Sequence, residues 1–190
     1  MKNVAAFDLD HTLTDRDCLI RFFWFIRSRG VPLNYVSALK KLGFSRRSVK
    51  VALCQLLEGV SVSTLDEHAE IFFRDFAIHW LRPGTVRALR NHQQSGDHVV
   101  IVSASLSFYV KKFAEFMDAD YLSTDLVQRG EVVTGVIDGR NVRGSEKVVR
   151  LERWLSAQGL SRNEIHVTAY GDSSGDAEML RWADNPVWVK

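Results

Sequence analysis

Two carboxylates lie one residue apart near the start of the chain, directly after an apolar run. Val4–Phe7 is predicted to form a short buried strand, and Asp8, Asp10 and then Thr12 follow it. Residues two apart in an extended chain point the same way, so both carboxylates can face one pocket. Their mutual repulsion favours a cation between them, and oxygen ligands of this kind suit Mg²⁺. The alternative is an ordinary turn in which Thr12 or Thr14 caps a helix.

A second stretch late in the chain repeats this arrangement. Glu164–Ala169 is predicted to be another buried strand, and Gly171 and Gly175 bracket a tight loop after it that places Asp172 at the sheet's carboxyl edge and Asp176 at the start of the next helix. Small residues separate the two acids, which suits cation ligation better than core packing. The alternative is an acid-rich turn that places Asp176 at a helix N-terminus.

A hydroxyl and an ammonium lie at two further strand or helix ends. Ser103 follows the predicted strand His98–Val102, where its hydroxyl can bind a phosphoryl oxygen or simply cap the next helix. Lys147 lies in the first turn of a helix that Ser145 can cap, where the helix dipole disfavours a cation. Clustered carboxylates and a phosphate would explain this lysine, and a solvated surface position is the alternative.

Composition and charge are those of an ordinary globular protein. The chain has 190 residues, 46% of them hydrophobic and 25% charged, with a net charge of +2. These values fit one domain with or without an insertion, and they give no indication of nucleic-acid binding. Neither a signal peptide nor a membrane span is expected, so a cytoplasmic location is predicted. The two cysteines, Cys18 and Cys54, lack metal-type spacing and are expected to be free buried thiols.

The first third of the chain is predicted to be helical without intervening strands. The expected helices are one from Asp17 to about Gly30, then Leu33–Leu42, Ser45–Leu57, and one from Thr64 toward His79 with Glu67 completing a capping box. Strands and helices then alternate, which favours a mainly parallel α/β sheet with helices on both faces. The expected helices there are Thr85–Gln94, Phe108–Phe116, Ser145–Gln158 and Asp176–Trp182; the expected strands are His98–Val102, Ala119–Leu122, Glu164–Ala169 and Val187–Val189, with a hairpin over Asp125–Asp138.

Taken together, these motifs resemble those of the haloacid dehalogenase superfamily of phosphohydrolases. The similar segments are DLDHT at Asp8–Thr12, the strand-end Ser103, Lys147, and GDSSGD at Gly171–Asp176, in the order of that family. The helical insertion is similar to the cap of the phosphoserine-phosphatase-like branch, subfamily IB. The resemblance therefore implies a Rossmann-like core over 1–16 and 82–190 and an inserted helical cap over 17–81.

The same resemblance implies a mechanism and a set of ligands. Asp8 would attack phosphorus to give an aspartyl-phosphate, and Asp10 would act as general acid and then as general base. The implied binding residues are Asp8, the Asp10 carbonyl, Asp172 and Asp176 for Mg²⁺, and Ser103 and Lys147 for the phosphoryl oxygens.

The cap sequence bears on the substrate. The segment from Cys18 to Leu57 contains eight basic residues and no acidic residue. This positive charge can steer anions toward the metal, or the basic side chains can simply keep the helix surfaces solvated. The resemblance places Asp17 where phosphoserine phosphatases carry a Glu that contacts the substrate's amino group. Histidinol phosphate and phosphoserine are the expected small substrates, and the stripe Phe22–Phe25 with Trp24 is expected to be cap core.

Two other functions stay open at this point. One is hydrolysis of a lipid phosphate, similar to phosphatidylglycerophosphate, with the basic cap in peripheral contact with the membrane. The other is a catalytically silent binding or scaffold protein on the same fold. A receiver-type signalling domain also uses acids, a hydroxyl and a lysine, but the order of motifs and the helical insertion do not fit it. The sequence leaves the oligomeric state open.

Overall fold

The structure is a computed structural model, and it describes residues 2–41 and 46–190. The strands are β1 (Lys2–Phe7), β2 (His98–Leu106), β3 (Asp120–Thr124), β4 (Leu126–Arg129), β5 (Val132–Ile137), β6 (Ile165–Gly171) and β7 (Asn185–Trp188). The helices are α1 (Cys18–Ser28), α2 (Tyr35–Lys41), α3 (Arg46–Leu56), α4 (Val62–Asp75), α5 (Pro83–Gln94), α6 (Ser107–Met117), α7 (Ser145–Ala157) and α8 (Ala177–Trp182). The expected helix end at Leu42 and helix start at Ser45 lie outside the described residues.

Five parallel strands form the central sheet, in the order β3-β2-β1-β6-β7. Alternate residues of β1 enter two different hydrophobic clusters: Ala5 and Phe7 lie on one face of the sheet, and Val4 and Ala6 on the other. Helices cover both faces, so the prediction of a mainly parallel, Rossmann-like α/β fold is confirmed. Because all five strands run the same way, their carboxyl ends meet at one edge of the sheet, which is where ligands bind in such folds.

Helices α1 to α4 all lie between β1 and β2 in the chain, and α1 and α4 pack together through aromatic side chains. The Phe22 ring of α1 lies 5.3 Å from Phe72 of α4 and 5.0 Å from Tyr109 of α6, measured between ring centroids. One hydrophobic cluster therefore continues from these helices into the sheet. The assignment of 17–81 to a separate cap domain stays a prediction.

The hairpin of β4 and β5 packs directly against α3 and the turn after it. A Cβ atom on Gly135 would lie 2.8 Å from the Cα atom of Gln55, so this contact requires a residue without a side chain. Backbone hydrogen bonds tie the same hairpin to the α3–α4 turn: Gly59 N–H donates to the Val133 carbonyl at 2.9 Å, and Val133 N–H donates to that of Val60 at 3.0 Å. The hairpin and α3 therefore form one wall beside the sheet's carboxyl edge.

Several predicted boundaries differ from the structure. Strand β2 continues to Leu106, so Ser103 lies inside the strand and not after it. Helix α4 begins at Val62, because the Ser61 hydroxyl accepts the Thr64 N–H at 3.1 Å and takes the capping role expected of Thr64. Trp24 is 62% exposed, so its assignment to the cap core is wrong.

Two further expectations concern the N-terminus of α7 and the thiols. The residue at the α7 cap position is Gly144, at φ 63°, and not Ser145. Cys18 and Cys54 are both buried free thiols, as expected.

Within the described ranges, no helix combines the length and the apolar character that crossing a bilayer requires.

Candidate active site

The Lys147 ammonium lies between two of the predicted site carboxylates, at the carboxyl edge of the sheet. Its Nζ atom lies 2.6 Å from Asp8 Oδ1 and 2.6 Å from Asp176 Oδ1, and it donates to the Val102 carbonyl at 2.6 Å. The Lys147 residue is 1% exposed, which excludes the solvated surface position. Residues from β1, β2, α7 and the loop after β6 are thus joined by one side chain.

Three carboxylates lie close enough together to share a cation. Oxygen atoms of Asp8, Asp172 and Asp176 lie within 4.8 Å of one another. Gly171 permits this approach, because a Cβ atom there would lie 2.5 Å from the Cβ of Asp176. The carboxylate of Asp10 is not a member of this cluster, and ligation by its backbone carbonyl stays a prediction.

Burial sets the protonation of these acids. Desolvation raises the pKa of Asp8 to about 7, with Asp176 and Asp10 adding to the shift and the Lys147 ammonium opposing it. Desolvation and the neighbouring Asp176 also raise the pKa of Asp172. Burial acts in the same direction on Asp176, but Lys147 and the Ser173 donors outweigh it and lower the pKa. The three carboxylates, when ionised, therefore carry more negative charge than the single positive charge of Lys147 can neutralise.

The Asp10 carboxylate has its own set of donors. Its Oδ1 accepts the Cys18 N–H at 2.7 Å, and its Oδ2 accepts the Ser105 hydroxyl at 2.5 Å. Desolvation raises the pKa of Asp10, and these two hydrogen bonds oppose the rise. The irregular helical turn Leu9–Leu13 carries Asp10, and His11 adopts the left-handed backbone conformation at φ 62° within it. Asp10 is thus fixed in orientation and inclined to hold a proton.

Asp17 borders the cavity beside Asp10, and Ser103 is buried next to the Val102 carbonyl. Ser103 is 1% exposed, follows the Val102 carbonyl that Lys147 contacts, and accepts the Ser105 N–H at 3.0 Å. Asp17 lines the cavity beside Asp10, and its carboxylate also accepts the Ile20 N–H at 3.3 Å at the start of α1. The capping bond gives Asp17 a structural task in addition to the predicted contact with a substrate.

Two residues at this site were not found from the sequence. Ser105 is one of three serines in VSASLS, and the alternation of a strand through that run is the signal that pairs it with Ser103. Lys50 was counted only within the basic cap, although its ammonium contacts the Ala104 carbonyl, the Asn141 side-chain oxygen and, at 3.4 Å, the Thr124 hydroxyl. Only the folded chain shows this lysine reaching from α3 to the sheet.

Comparison with known proteins agrees with this geometry. A family model for haloacid dehalogenase-like hydrolases matches residues 5–181. The chain belongs to this family. Protein CicA of Caulobacter vibrioides (strain NA1000 / CB15N) is 35% identical over 193 residues, which span 95% of this chain and 83% of that one. A histidinol-phosphatase of Neisseria meningitidis serogroup C (strain 8013) is 24% identical over 202 residues, 100% of this chain and 90% of that protein.

Solved structures give the same fold. A Bordetella pertussis Tohama I protein of unknown function superposes with a TM-score of 0.78 at 26% identity, over 95% of this chain and 87% of that one. A substrate-bound phosphoserine phosphatase superposes with a TM-score of 0.64 at 20% identity, over 96% of this chain and 83% of that one. The predicted family resemblance is confirmed, and the protein is a hydrolase of the haloacid dehalogenase-like family.

Proposed function

We propose that this hydrolase is a Mg²⁺-dependent phosphomonoesterase that acts on a phosphorylated metabolite through an aspartyl-phosphate on Asp8. The observation that carries the proposal is the placement of Asp8. Its carboxylate lies at the end of the central strand, 2.6 Å from a buried ammonium and within 4.8 Å of two further carboxylates. Such an arrangement suits attack on a phosphorus atom whose oxygens are held by cations.

The residues present fit a hard divalent cation. Asp8, Asp172 and Asp176 supply oxygen ligands, and the raised pKa values of Asp8 and Asp172 mean that a bound cation would stabilise their ionised forms. When bound, Mg²⁺ supplies charge that neutralises the phosphoryl oxygens and orients them. The Asp10 carbonyl is proposed as a further ligand.

The chemistry then divides between two aspartates. An Asp8 oxygen bonds to phosphorus while the ester P–O bond breaks, and Asp10 gives its proton to the leaving alkoxide oxygen. Asp10 next takes a proton from water, whose oxygen attacks phosphorus and frees Asp8 and inorganic phosphate. Burial raises the pKa of Asp10 above its usual range, which supports the first proton transfer because a carboxyl group that holds its proton more firmly is better suited to act as an acid. Lys147 and Ser103 would hold the non-bridging oxygens.

Substrate recognition is proposed to involve Asp17 and Lys50, which both line the cavity beside Asp10. Asp17 suits a cationic amino group, as in histidinol phosphate or phosphoserine. The three oxygens that Lys50 contacts are all uncharged, so a substrate anion would stabilise its ammonium. The Neisseria relative's name supports histidinol phosphate as one candidate ester.

An ester panel tests the proposal. Histidinol phosphate, phosphoserine and p-nitrophenyl phosphate are assayed for phosphate release with Mg²⁺ and with EDTA. We expect metal-dependent turnover that falls by at least about 10³-fold in Asp8→Asn, because the amide does not replace the nucleophile. Asp15→Asn, an exposed acid of the same segment, is the matched control and keeps activity. Absence of turnover on every ester by a folded, metal-binding protein would support the silent binding protein instead.

Lipid phosphate hydrolysis is a second candidate because large apolar side chains are exposed on two basic helices. Ile20 and Trp24 of α1 are 50% and 62% exposed, and Val36 and Leu39 of α2 are 66% and 69% exposed. Basic residues share these helices, and the Arg27 guanidinium lies 5.5 Å from the Trp24 ring. Apolar and basic side chains together suit the surface of an anionic membrane.

Vesicle sedimentation tests this second candidate. The protein is expected to sediment with vesicles containing anionic phosphatidylglycerol, and less with vesicles of neutral phosphatidylcholine. Trp24→Ser should reduce binding to the anionic vesicles several-fold, whereas Trp188→Ser, at a site 54% exposed on β7, should leave it unchanged. Equal losses in the two variants, or no binding to either vesicle, contradict the candidate.

A further inference from the structure

A large cavity opens beside Asp10, and aliphatic residues form part of its wall. The cavity has a volume of about 1200 Å³. Four aliphatic residues from three separate elements line it: Leu19 of α1, Val51 of α3, and Val136 and Ile137 of β5. Because they are contributed by segments far apart in the chain, their convergence is a product of the fold.

The position of the β5 side chains is firmly held. Gly135 allows β5 to contact the α3 backbone directly, as described above, and Val136 and Ile137 follow it immediately. Val136 is nevertheless 53% exposed. A β-branched side chain held rigidly at a cavity and left partly open to water gains free energy when an apolar ligand covers it.

Polar groups also line the cavity. Lys50 precedes Val51 on α3, and Arg143 lies beside the loop after β6, where its guanidinium donates to the Ser174 hydroxyl at 3.3 Å. Asp10 and Ser105 mark the end nearest the predicted nucleophile. A ligand that fills this space therefore meets charged groups as well as aliphatic residues of α1, α3 and β5.

We propose that the ester's leaving group carries an apolar body of several carbon atoms, which packs among Leu19, Val51, Val136 and Ile137. The proposal rests on the proposed phosphomonoesterase function and names the substrate class of the same site. Small-molecule pockets commonly measure about 300–1,000 Å³ and bury most of their ligand. An alcohol as short and polar as serine would leave this wall uncovered. A longer alkyl or an aryl alcohol covers it.

A series of n-alkyl phosphates, from ethyl to octyl and kept at monomeric concentrations, tests the proposal. From ethyl onward the leaving alcohols have nearly the same basicity, so differences in kcat/KM report contacts with the chain. We expect kcat/KM to rise with each added methylene, by up to about fourfold where the methylene is fully buried. The total rise from ethyl to hexyl should be at least tenfold.

Two variants of the same hairpin locate the effect. Val136→Ser should flatten the dependence on chain length, and Val127→Ser, at a site 37% exposed on β4 that does not line the cavity, should preserve it. The inhibition constant of inorganic phosphate should be unchanged in both, since phosphate does not reach this wall. Equal flattening in both variants would overturn the proposal.

Different assay results would contradict the apolar leaving group and the phosphomonoesterase function. If ethyl and octyl phosphate are hydrolysed with equal kcat/KM, the protein is a phosphatase, but it does not recognise the leaving group through these aliphatic residues. Turnover of no ester in the series, nor of p-nitrophenyl phosphate, removes the phosphomonoesterase function itself. A rise that begins only when the alkyl phosphate forms micelles assigns the effect to a lipid surface and also overturns the proposal.

Discussion

The charge states of the two buried lysines at this site depend on the groups that each of them contacts. Lys147 has two carboxylate partners, which outweigh the desolvation of its ammonium and raise its pKa. Among the residues that the structure describes, Lys50 contacts uncharged oxygens, and desolvation lowers its pKa to about 8. The same type of side chain is thus a permanent cation at one position and a titrating group at the other.

The lowered pKa of Lys50 predicts a pH dependence. Its amine is protonated below pH 8 and loses its charge as the pH rises through 8, so KM for an anionic ester should increase there. Lys50→Arg should remove this increase because a guanidinium keeps its charge, and Lys50→Met should raise KM about tenfold already at pH 7. Steady-state kinetics from pH 6 to 9.5 measure both effects.

Lys40→Met, an exposed lysine of α2, is the matched control for removal of a cap charge. It should keep the pH profile and KM of the unmodified protein. A KM that stays constant through pH 8 in the unmodified protein would show that Lys50 does not contact the substrate.

At the scale of elements, the sheet brings the acids together and the hairpin closes one side of the space around them. Strand β1 lies between β2 and β6, so the residues after all three strands meet at one edge. The hairpin contributes no residue to this sheet, but it packs on α3 and directs Val136 and Ile137 to the cavity. Both arrangements depend on glycines at close contacts, Gly171 in the first and Gly135 in the second.

Gly135→Ala should therefore destabilise the packing of the hairpin. Its Cβ would lie 2.8 Å from a backbone atom of α3, and the residue has φ 72°. Gly130→Ala shares the positive φ, at 60°, but its Cβ meets nothing within 4 Å. Urea unfolding should show a larger loss for Gly135→Ala, by about 1–3 kcal/mol, which isolates the collision from the backbone strain. Equal losses of unfolding free energy in the two variants would mean that the hairpin shifts to make room for the added methyl group without a loss of stability.

Over the whole molecule, the carboxylate cluster is a local source of instability that a cation can relieve. Asp8, Asp172 and Asp176 come from segments separated by most of the chain, and one ammonium contacts two of them. A cation that binds only the folded chain stabilises it by mass action, by about 2.7 kcal/mol at a hundred times its dissociation constant.

Mg²⁺ should accordingly raise the thermal unfolding midpoint, and EDTA should reverse the rise. Asp172→Asn should lose most of the shift because it removes one charged ligand, whereas Asp15→Asn should keep it. Differential scanning calorimetry with and without Mg²⁺ provides the measurement. A midpoint that does not respond to Mg²⁺ in the unmodified protein would exclude this cluster as a site of tight binding.

The sequence by itself determined the fold class and the chemistry that the chain can perform. The apolar runs before Asp8 and Asp172 predict buried parallel strands, and the rules of parallel sheets place residues after such strands at one edge. Order along the chain was enough for these conclusions, because the alternation of strands with helices predicts parallel strands, and the alternation of side chains within a strand is a local property. Boundaries failed where a longer-range contact decided them, as in β2, which pairs with β3 as far as Leu106.

The tertiary structure alone decided which charges meet and what shape they enclose. Lys147 contacts Asp8 across 139 residues of sequence, and Lys50 contacts Asn141 across 91. No local pattern distinguishes Lys50 from the other basic residues of its segment, since its low pKa arises from burial that the packing of α3 imposes. The aliphatic residues of the cavity have the same origin: Leu19, Val51 and the pair Val136 and Ile137 come from three separate elements, and only the fold brings these elements to one cavity.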